Sequence, residues 1–464
     1  MRFAPVVSAA LAAGALVCGT APMRAQAGAQ ATDIPRLQIE RYVLPNGLEV
    51  VLHEDHTVAM VAVSTYYHVG SADEQRGRTG FAHLFEHIMF MGSEHVPVGK
   101  FDQWLEAAGG NNNGYTTNDR TNYYEWMPSN ALPLALWLDA DRMGWLLPTM
   151  DLPKVDLQRD VVKNERRESY DNQPYGRAEE TILAALYPAD HPYSWPVIGS
   201  MTDLSAATLD DVRGFFRTYY APNNATLVLA GDFRPDSAKR WIARYFGDIP
   251  RGPAIPPRPH VPVVTVPRDT FLVLEDHVQL PRVFYAWHSV KAFHPDDAAL
   301  NLLAYILAGD KASRLYRGLV YDRQVAQDVD ASQEGNRLDG QFDIDVTPKP
   351  DIPPARVDTL VRDAIRRVID SGVTALELQR AKNVHHARTL DRLASVSEQA
   401  DLLNYYDWFA GTPDYIEQDA ARFDRLTTAD LQRVARSYLG AHKVVLTVVP
   451  MGHPELEVRG APIQ

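Results

Sequence analysis

Apolar positions along this chain change their spacing several times, and each change predicts an element. Tyr42-Val43-Leu44 and Leu48 to Leu52 flank Pro45-Asn46-Gly47, where the Asn-Gly pair predicts a β-hairpin. Val58 to Val69, rich in Val, Thr and Tyr, predicts another strand. Helical spacing takes over at about 80–91, 99–108, 131–145 and 152–169, and Asn224 to Ala230 returns to a strand. Prolines then crowd 251–267 too densely for a helix or a central strand, which predicts an extended linker. Beyond it the order recurs: strands near Thr270–Leu274 and Val283–His288, a helix from Pro295, more helices, and a last strand at Lys443–Val449. The expected fold class is α+β, an internal duplication with homologous layered domains at 32–250 and 268–464.

At 81–90 the sequence reads FAHLFEHIMF, three ionisable groups in an otherwise apolar stretch. Burying such groups is costly unless a partner satisfies them. Thr79-Gly80 can cap a helix that runs to about Met91 and stops at Gly92. At about 100° per residue, His83, Glu86, His87 and Phe90 share one sector, while Phe81, Leu84, Phe85, Ile88 and Met89 fill the remainder. A helix this apolar is expected inside the protein, so its polar stripe faces something internal. Histidines at i and i+4 can both place a ring nitrogen on one ion, zinc typically sitting about 2 Å away. Glu86 is then close enough to reach a water on that metal without being a ligand, as amide hydrolysis requires of a carboxylate base. The competing reading is a buried His/Glu hydrogen-bond cluster without metal.

Two histidines leave a catalytic zinc site one protein ligand short. The best source of a third is DLPKVDLQRDVVKNERRESYDNQP, 151–174, where Asp151 and Pro153 predict a helix start. Gln158, Val162 and Glu165 share one face of that helix. On spacing alone Glu165 and Glu168 compete for the ligand role, and a charged run of this kind also reads as a solvated face.

Composition narrows the class. With 464 residues, 45% of them hydrophobic, the chain has the size and make-up of two or three globular domains. A net charge of −13 without a Lys/Arg run argues against nucleic-acid binding. The first 31 residues stand apart: Arg2, an apolar run from Phe3 to Cys18, then small residues including Ala25-Gln26-Ala27. That is the pattern of an export signal, with cleavage expected near Ala27–Ala31 and a periplasmic or secreted destination. The single cysteine, Cys18, lies inside it, so the mature protein is expected to be free of disulfides, and any metal must be held by His and carboxylates. No later stretch has the length of a membrane span.

The segment His83-Leu84-Phe85-Glu86-His87, with Glu165 in a helix of the form RDVVxxE 78 positions after His87, resembles the inverted zinc motif of the pitrilysin/insulinase metallopeptidases. Within that family the chain is most similar to short, two-domain bacterial members related to mitochondrial processing peptidase. LPNGLEVVLHEDH resembles the family's opening hairpin, GGNNNGYTTNDRTNYYEWMP the loop and strand beyond the zinc helix, and NNATLVLAGDF the close of the first domain. The resemblance implies one Zn2+ per chain held by His83, His87 and Glu165, with Glu86 as general base. It implies two homologous domains facing each other across a substrate chamber, the metal in the first alone. The second half agrees: the corresponding helix reads AALNLLAYILAG, without His or Glu. It further implies a zinc metalloendopeptidase acting on peptides or unfolded segments. Asn113-Gly114-Tyr115-Thr116 matches the family stretch that offers a strand edge to an extended peptide, with Asn113, Gly114 and Tyr115 expected to bind substrate, although GGNNNG by itself also reads as a plain turn.

The chain departs from that pattern in three places. Gly114 stands where the family usually has Ala, and Gln158 where it commonly has a second Glu. In the second half, Val320 and Gln327 occupy the positions of an Arg and a Tyr that in active members bind substrate and stabilise the oxyanion. Arg314 and Tyr321 keep the spacing of seven but lie six positions too early. The expected assembly is a dimer, a heterodimer in which a zinc-less homologue supplies the missing pair. The alternative function is a non-catalytic structural or assembly subunit of a processing-peptidase-like complex. His385-His386 reads as a solvated face; Tyr405-Tyr406-Asp407-Trp408-Phe409, Trp126 and Trp195 read as packing.

Overall fold

The Asn46-Gly47 turn closes the first hairpin as expected. Gly47 takes a φ of 94° that side chains resist, and its N–H donates to the Leu44 carbonyl at 2.8 Å. This joins β1 (Glu40–Val43) to β2 (Glu49–Glu54), and β3 (Met60–Tyr67), β4 (Asn111–Thr116), β5 (Thr121–Pro128) and β6 (Ala225–Gly231) complete a sheet ordered β1-β2-β6-β3-β5-β4. The helices among them are α1 (Phe81–Ile88), α2 (Lys100–Ala107), α3 (Leu132–Trp145), α4 (Leu152–Arg166), α5 (Ala178–Leu186), α6 (Met201–Ala206), α7 (Leu209–Tyr219) and α8 (Pro235–Phe246). The computed structural model describes residues 34–258 and 261–460. The expected export signal, with Cys18 and the Ala27–Ala31 region, lies outside the described residues.

A second sheet holds β7 (Thr270–Asp276), β8 (Arg282–His288), β9 (Ala326–Gly335), β10 (Gly340–Pro348) and β11 (Val444–Pro450), ordered β7-β11-β8-β10-β9. Its helices are α9 (Asp297–Ala308), α10 (Pro354–Ser371), α11 (Ala375–Leu393), α12 (Val396–Ala410), α13 (Ile416–Asp424) and α14 (Thr428–Val434). The two sheets share a topology. In each, an early strand runs parallel to the last strand of its half (β2 with β6, β7 with β11), and every pairing from that last strand to the far edge, β4 or β9, is antiparallel; the first sheet adds β1 outside β2. The fold is thus α+β and internally duplicated, as the recurring pattern predicted. Among the described residues no helix is long and apolar enough to cross a membrane.

Why the central strands are apolar on both faces follows from what covers them. All seven residues of β6 are buried, which demands a layer on each side. One face of the first sheet packs on α1, α3 and α8 in the main core of that half. Its other face is covered by α12 from the second half, where Leu402, Leu403 and Tyr406 meet Val51, Ala62, Val228 and Ala230. The exchange is mutual. Ile182, Leu183 and Leu186 of α5 lie against Ala286, Val444, Leu446 and Val448 of the second sheet. Each half therefore closes the core of the other.

The proline-rich stretch has neither helix nor strand in its described residues. It is nonetheless anchored. Arg258 grips Asp73 through Nε and Nη2 (2.7 and 2.6 Å) and Asp119 through Nη1 (2.5 Å). Fully buried Asp119 also accepts from Tyr193 Oη at 2.8 Å and from the Arg337 N–H at 2.9 Å. First half, linker and second half thus share one carboxylate. Beside it a cavity of about 340 Å³ is walled by Thr116, Thr117 and Glu179 from the first half and Glu334, Gln341 and Asp343 from the second.

Candidate active site

α1 begins at Gly80, whose φ of 88° only glycine adopts freely. Of the expected Thr79-Gly80 cap, Gly80 is the N-cap, while the Thr79 side chain takes no part and its Oγ1 donates instead to Asp203 at 2.6 Å. The orphan amides of the first turn go to Glu74, whose two oxygens accept from Gly80 N–H (2.9 Å) and Ala82 N–H (2.8 Å). Burial pushes the Glu74 carboxyl up to about 8, against the pull of those amides. The α-helix ends at Ile88, three residues short of the expected Met91, because Phe90 and Met91 bond back to His87 and Ile88 in tighter turns. Phe81, Leu84, Phe85 and Ile88 are buried, which turns the polar stripe toward α4 and β4.

α4 starts as its sequence predicts, with the Asp151 side chain accepting from Lys154 N–H at 3.0 Å. Its Glu165 reaches both histidines. Oε1 lies 3.7 Å from His83 Nε2 and Oε2 lies 3.2 Å from His87 Nε2. The two imidazoles stand edge to face, centroids 4.9 Å apart. One ligand atom from each of the three side chains lies within 4.8 Å of the others, the sole such His/Cys/Asp/Glu group of three or more among the described residues. Glu168, the competitor on spacing, falls in the wider turn that follows α4 (Arg167–Asp171) and is exposed.

The donor set suits a zinc ion. Donors bound about 2.0–2.1 Å from a tetrahedral metal stand roughly 3.3 Å apart, and the two observed spacings bracket that value. Burial, followed by the neighbouring His87, lowers the His83 imidazole to about 4, so it is neutral with a lone pair to offer. The hydrogen bond from His87 holds the Glu165 carboxyl below its ordinary range. Glu86 differs. Burial raises its carboxyl, while the Thr116 hydroxyl, donating to Oε2 at 2.7 Å, opposes the rise.

Asn113, Gly114 and Tyr115 lie on β4, the edge strand of the first sheet. β5 pairs with one side of it, which leaves the other side's backbone groups without a strand neighbour. Gly114 faces Glu86: a Cβ there would stand 3.3 Å from Glu86 Cγ. The Tyr115 side chain points the opposite way, its hydroxyl 2.6 Å from Asp401 and 2.7 Å from Tyr66 Oη. Asn113 Oδ1 accepts from the Gly114 N–H at 2.8 Å.

The departures also have places. Gln158 is buried on α4 and donates to Met91 Sδ at 2.7 Å. Val320 packs on the core of the second half, and Gln327 is exposed on β9. Arg314 is committed to Glu377 through Nε (2.7 Å) and Nη2 (2.8 Å), and Tyr321 is largely exposed. α9, the counterpart of α1, carries no His or Glu. Of the histidines read as solvated, His386 is instead buried and bonds Asp424 at 2.7 Å, because α13 covers it. Trp195 donates to the Ser71 carbonyl and Trp126 stacks on Tyr124. Glu74 is the site residue that the sequence reading passed over; Thr116 lies in the stretch it singled out, but its bond to Glu86 was not foreseen.

Comparison with known proteins gives the same picture. A family model described as insulinase (peptidase family M16) matches residues 49–197, and one described as peptidase M16 inactive domain matches residues 206–384. Zinc protease PqqE of Helicobacter pylori is 30% identical over 412 residues, 86% of this chain and 90% of its own length. A Mycobacterium tuberculosis chain described as an uncharacterized zinc protease is 28% identical over 440 residues, 93% of this chain and 97% of that one. The crystal structure of a protease from Helicobacter pylori superposes with a TM-score of 0.83 at 26% identity, covering 90% of this chain and all (100%) of that one.

Proposed function

The chain belongs to the insulinase family, peptidase family M16, and from that premise we propose that it is an exported zinc-dependent endopeptidase of peptides and unfolded segments. The observation that carries this reading is the approach of Glu165 to both His83 and His87, at 3.7 and 3.2 Å, beside a half-buried Glu86. His83, His87 and Glu165 would hold the zinc, one ion per chain. Bound there, zinc supplies a Lewis acid that polarises water and the scissile carbonyl. Glu86 takes a proton from the attacking water and passes it to the leaving amine, which requires its ionised form at the start. The unpaired edge of β4 receives the substrate as an added strand, so recognition rests on backbone groups of Asn113, Gly114 and Tyr115. A flexible peptide can present such a strand; a folded surface rarely can.

The second half serves as the opposite wall of the chamber. Its matched model is described as inactive, and α9 offers no ligand. Because Val320 and Gln327 replace the Arg and Tyr of that half, and Arg314 is held by Glu377, a zinc-less homologous partner supplies the pair in a heterodimer. The test is Glu86→Gln in the purified protein: zinc content of one per chain with turnover reduced at least about 10²-fold supports the assignment. Wild-type protein that holds no zinc and cleaves no peptide, alone or with its partner, would make it a structural subunit instead.

A further inference from the structure

β4 alternates its side chains between two faces, as strands must. Gly114 and Thr116 face α1; Tyr115, one residue out of phase, faces α12. The two faces are held in different ways. On the α12 side, Tyr115 bonds Asp401 and Tyr66, and the Arg120 guanidinium donates to its hydroxyl at 3.3 Å. That guanidinium sits 5.3–5.5 Å from the ring centres of Tyr66, Tyr115, Tyr405 and Phe409. On the α1 side, a single hydroxyl faces a single carboxylate: Thr116 Oγ1 donates to Glu86 Oε2 at 2.7 Å. Among the described residues no other hydrogen bond reaches the Glu86 side chain, whose neighbour Gly114 brings no Cβ to wedge it.

A carboxylate on a three-bond stem, flanked by glycine, keeps rotamer freedom unless something fixes it. Proton transfer needs that carboxylate within hydrogen-bond reach of the water it activates. We propose that Thr116 is a positioning residue, whose hydroxyl clamps one oxygen of Glu86 and leaves the other for the proton in transit. The clamp does not require substrate, because Tyr115 fixes the strand from behind. The proposal rests on the assignment of Glu86 as the base.

The experiment compares Thr116→Val, which keeps the shape and removes the donor, with Thr116→Ser, which restores the donor, beside Glu86→Gln and the double variant Glu86→Gln/Thr116→Val. Turnover of a quenched fluorogenic peptide is expected to fall about 10- to 100-fold in kcat for Thr116→Val with KM nearly unchanged. Thr116→Ser should recover most of the loss, and the double variant should be no slower than Glu86→Gln alone. A second readout needs no turnover. In zinc-free protein, infrared difference spectra against Glu86→Gln isolate the Glu86 carboxylate band, which Thr116→Val should shift and Thr116→Ser should leave in place. An unshifted band in Thr116→Val overturns the proposal, as does equal damage by Ser and Val. Full activity in Glu86→Gln would instead remove the base assignment beneath it.

Discussion

Tyr115 and Asp401 meet at 2.6 Å across the outer face of the first sheet, joining the edge strand beside the candidate site to a helix of the other half. Asp401 also accepts from Tyr66 at 2.5 Å, so its loss removes the shared acceptor of the fully buried Tyr66 and the half-buried Tyr115 and leaves their hydroxyls only each other as close acceptors. Asp401→Ala should destabilise the protein by about 2–3 kcal/mol in urea unfolding, the cost of stranded buried donors. It should also raise KM more than it lowers kcat, because the strand that receives substrate loosens. An unchanged KM would show that β4 does not depend on α12.

Metal binding should appear as stability. A ligand present at 100 times its dissociation constant adds about 2.7 kcal/mol. Removing divalent ions with a chelator should therefore lower the melting temperature, and zinc should restore it. His83→Ala and Glu165→Gln should abolish the zinc-dependent shift in a calorimetric scan, whereas Glu86→Gln should keep it. A shift that survives His83→Ala would place the ion elsewhere.

The chamber wall carries an unusual acid. Burial pushes the Asp343 carboxyl up to about 8, and Glu334, Asp345 and Glu179 add to the rise. Its value in the unfolded chain is about 3.9. Well below about pH 3 both states hold the proton; between about pH 4 and 8 the folded state keeps it while the unfolded state has released it. Stability therefore falls as pH rises through this window. Asp343→Asn removes that loss and should be more stable than wild type by about 1–2 kcal/mol at pH 8, a figure discounted for partial solvent screening. The gap should close toward about pH 4.5 in urea titrations. A constant gap at every pH would point to packing rather than charge.

Gly114 departs from the family's alanine at a position where a methyl group fits only if its neighbours give slightly. A Cβ would stand 3.3 Å from Glu86 Cγ and from the Asn122 carbonyl, and 3.4 Å from Tyr123 Cδ1, displacements of tenths of an ångström. Gly114→Ala should keep activity within about threefold and stabilise by about 0.5 kcal/mol through reduced freedom of the unfolded chain. Peptide turnover and a thermal melt check both.

What the sequence revealed was local and periodic. The alternation around Asn46-Gly47, the stripe on α1 and the Asp151 start of α4 are all written within a few residues of the features they build. The Thr79-Gly80 start is right in Gly80, but the acceptor for its first amides, Glu74, reaches the helix from a preceding loop, and no spacing rule connects the two. The exchanged helices were equally hidden. α5 and α12 bury apolar faces against sheets distant in the chain, and an amphipathic pattern does not say whose sheet it meets. The β9–β10 hairpin escaped for another reason: Asp328, Asp330, Asp343 and Asp345 put charge where a strand is expected to be apolar or neutral.

The crossing of α5 and α12 makes the molecule a reciprocal embrace. Each sheet borrows the layer over one of its faces from the other half, so severing the backbone at the proline-rich stretch would leave two fragments still clasped together. Freedom to gape is correspondingly small, because swinging the halves apart would bare the apolar faces that α5 and α12 cover.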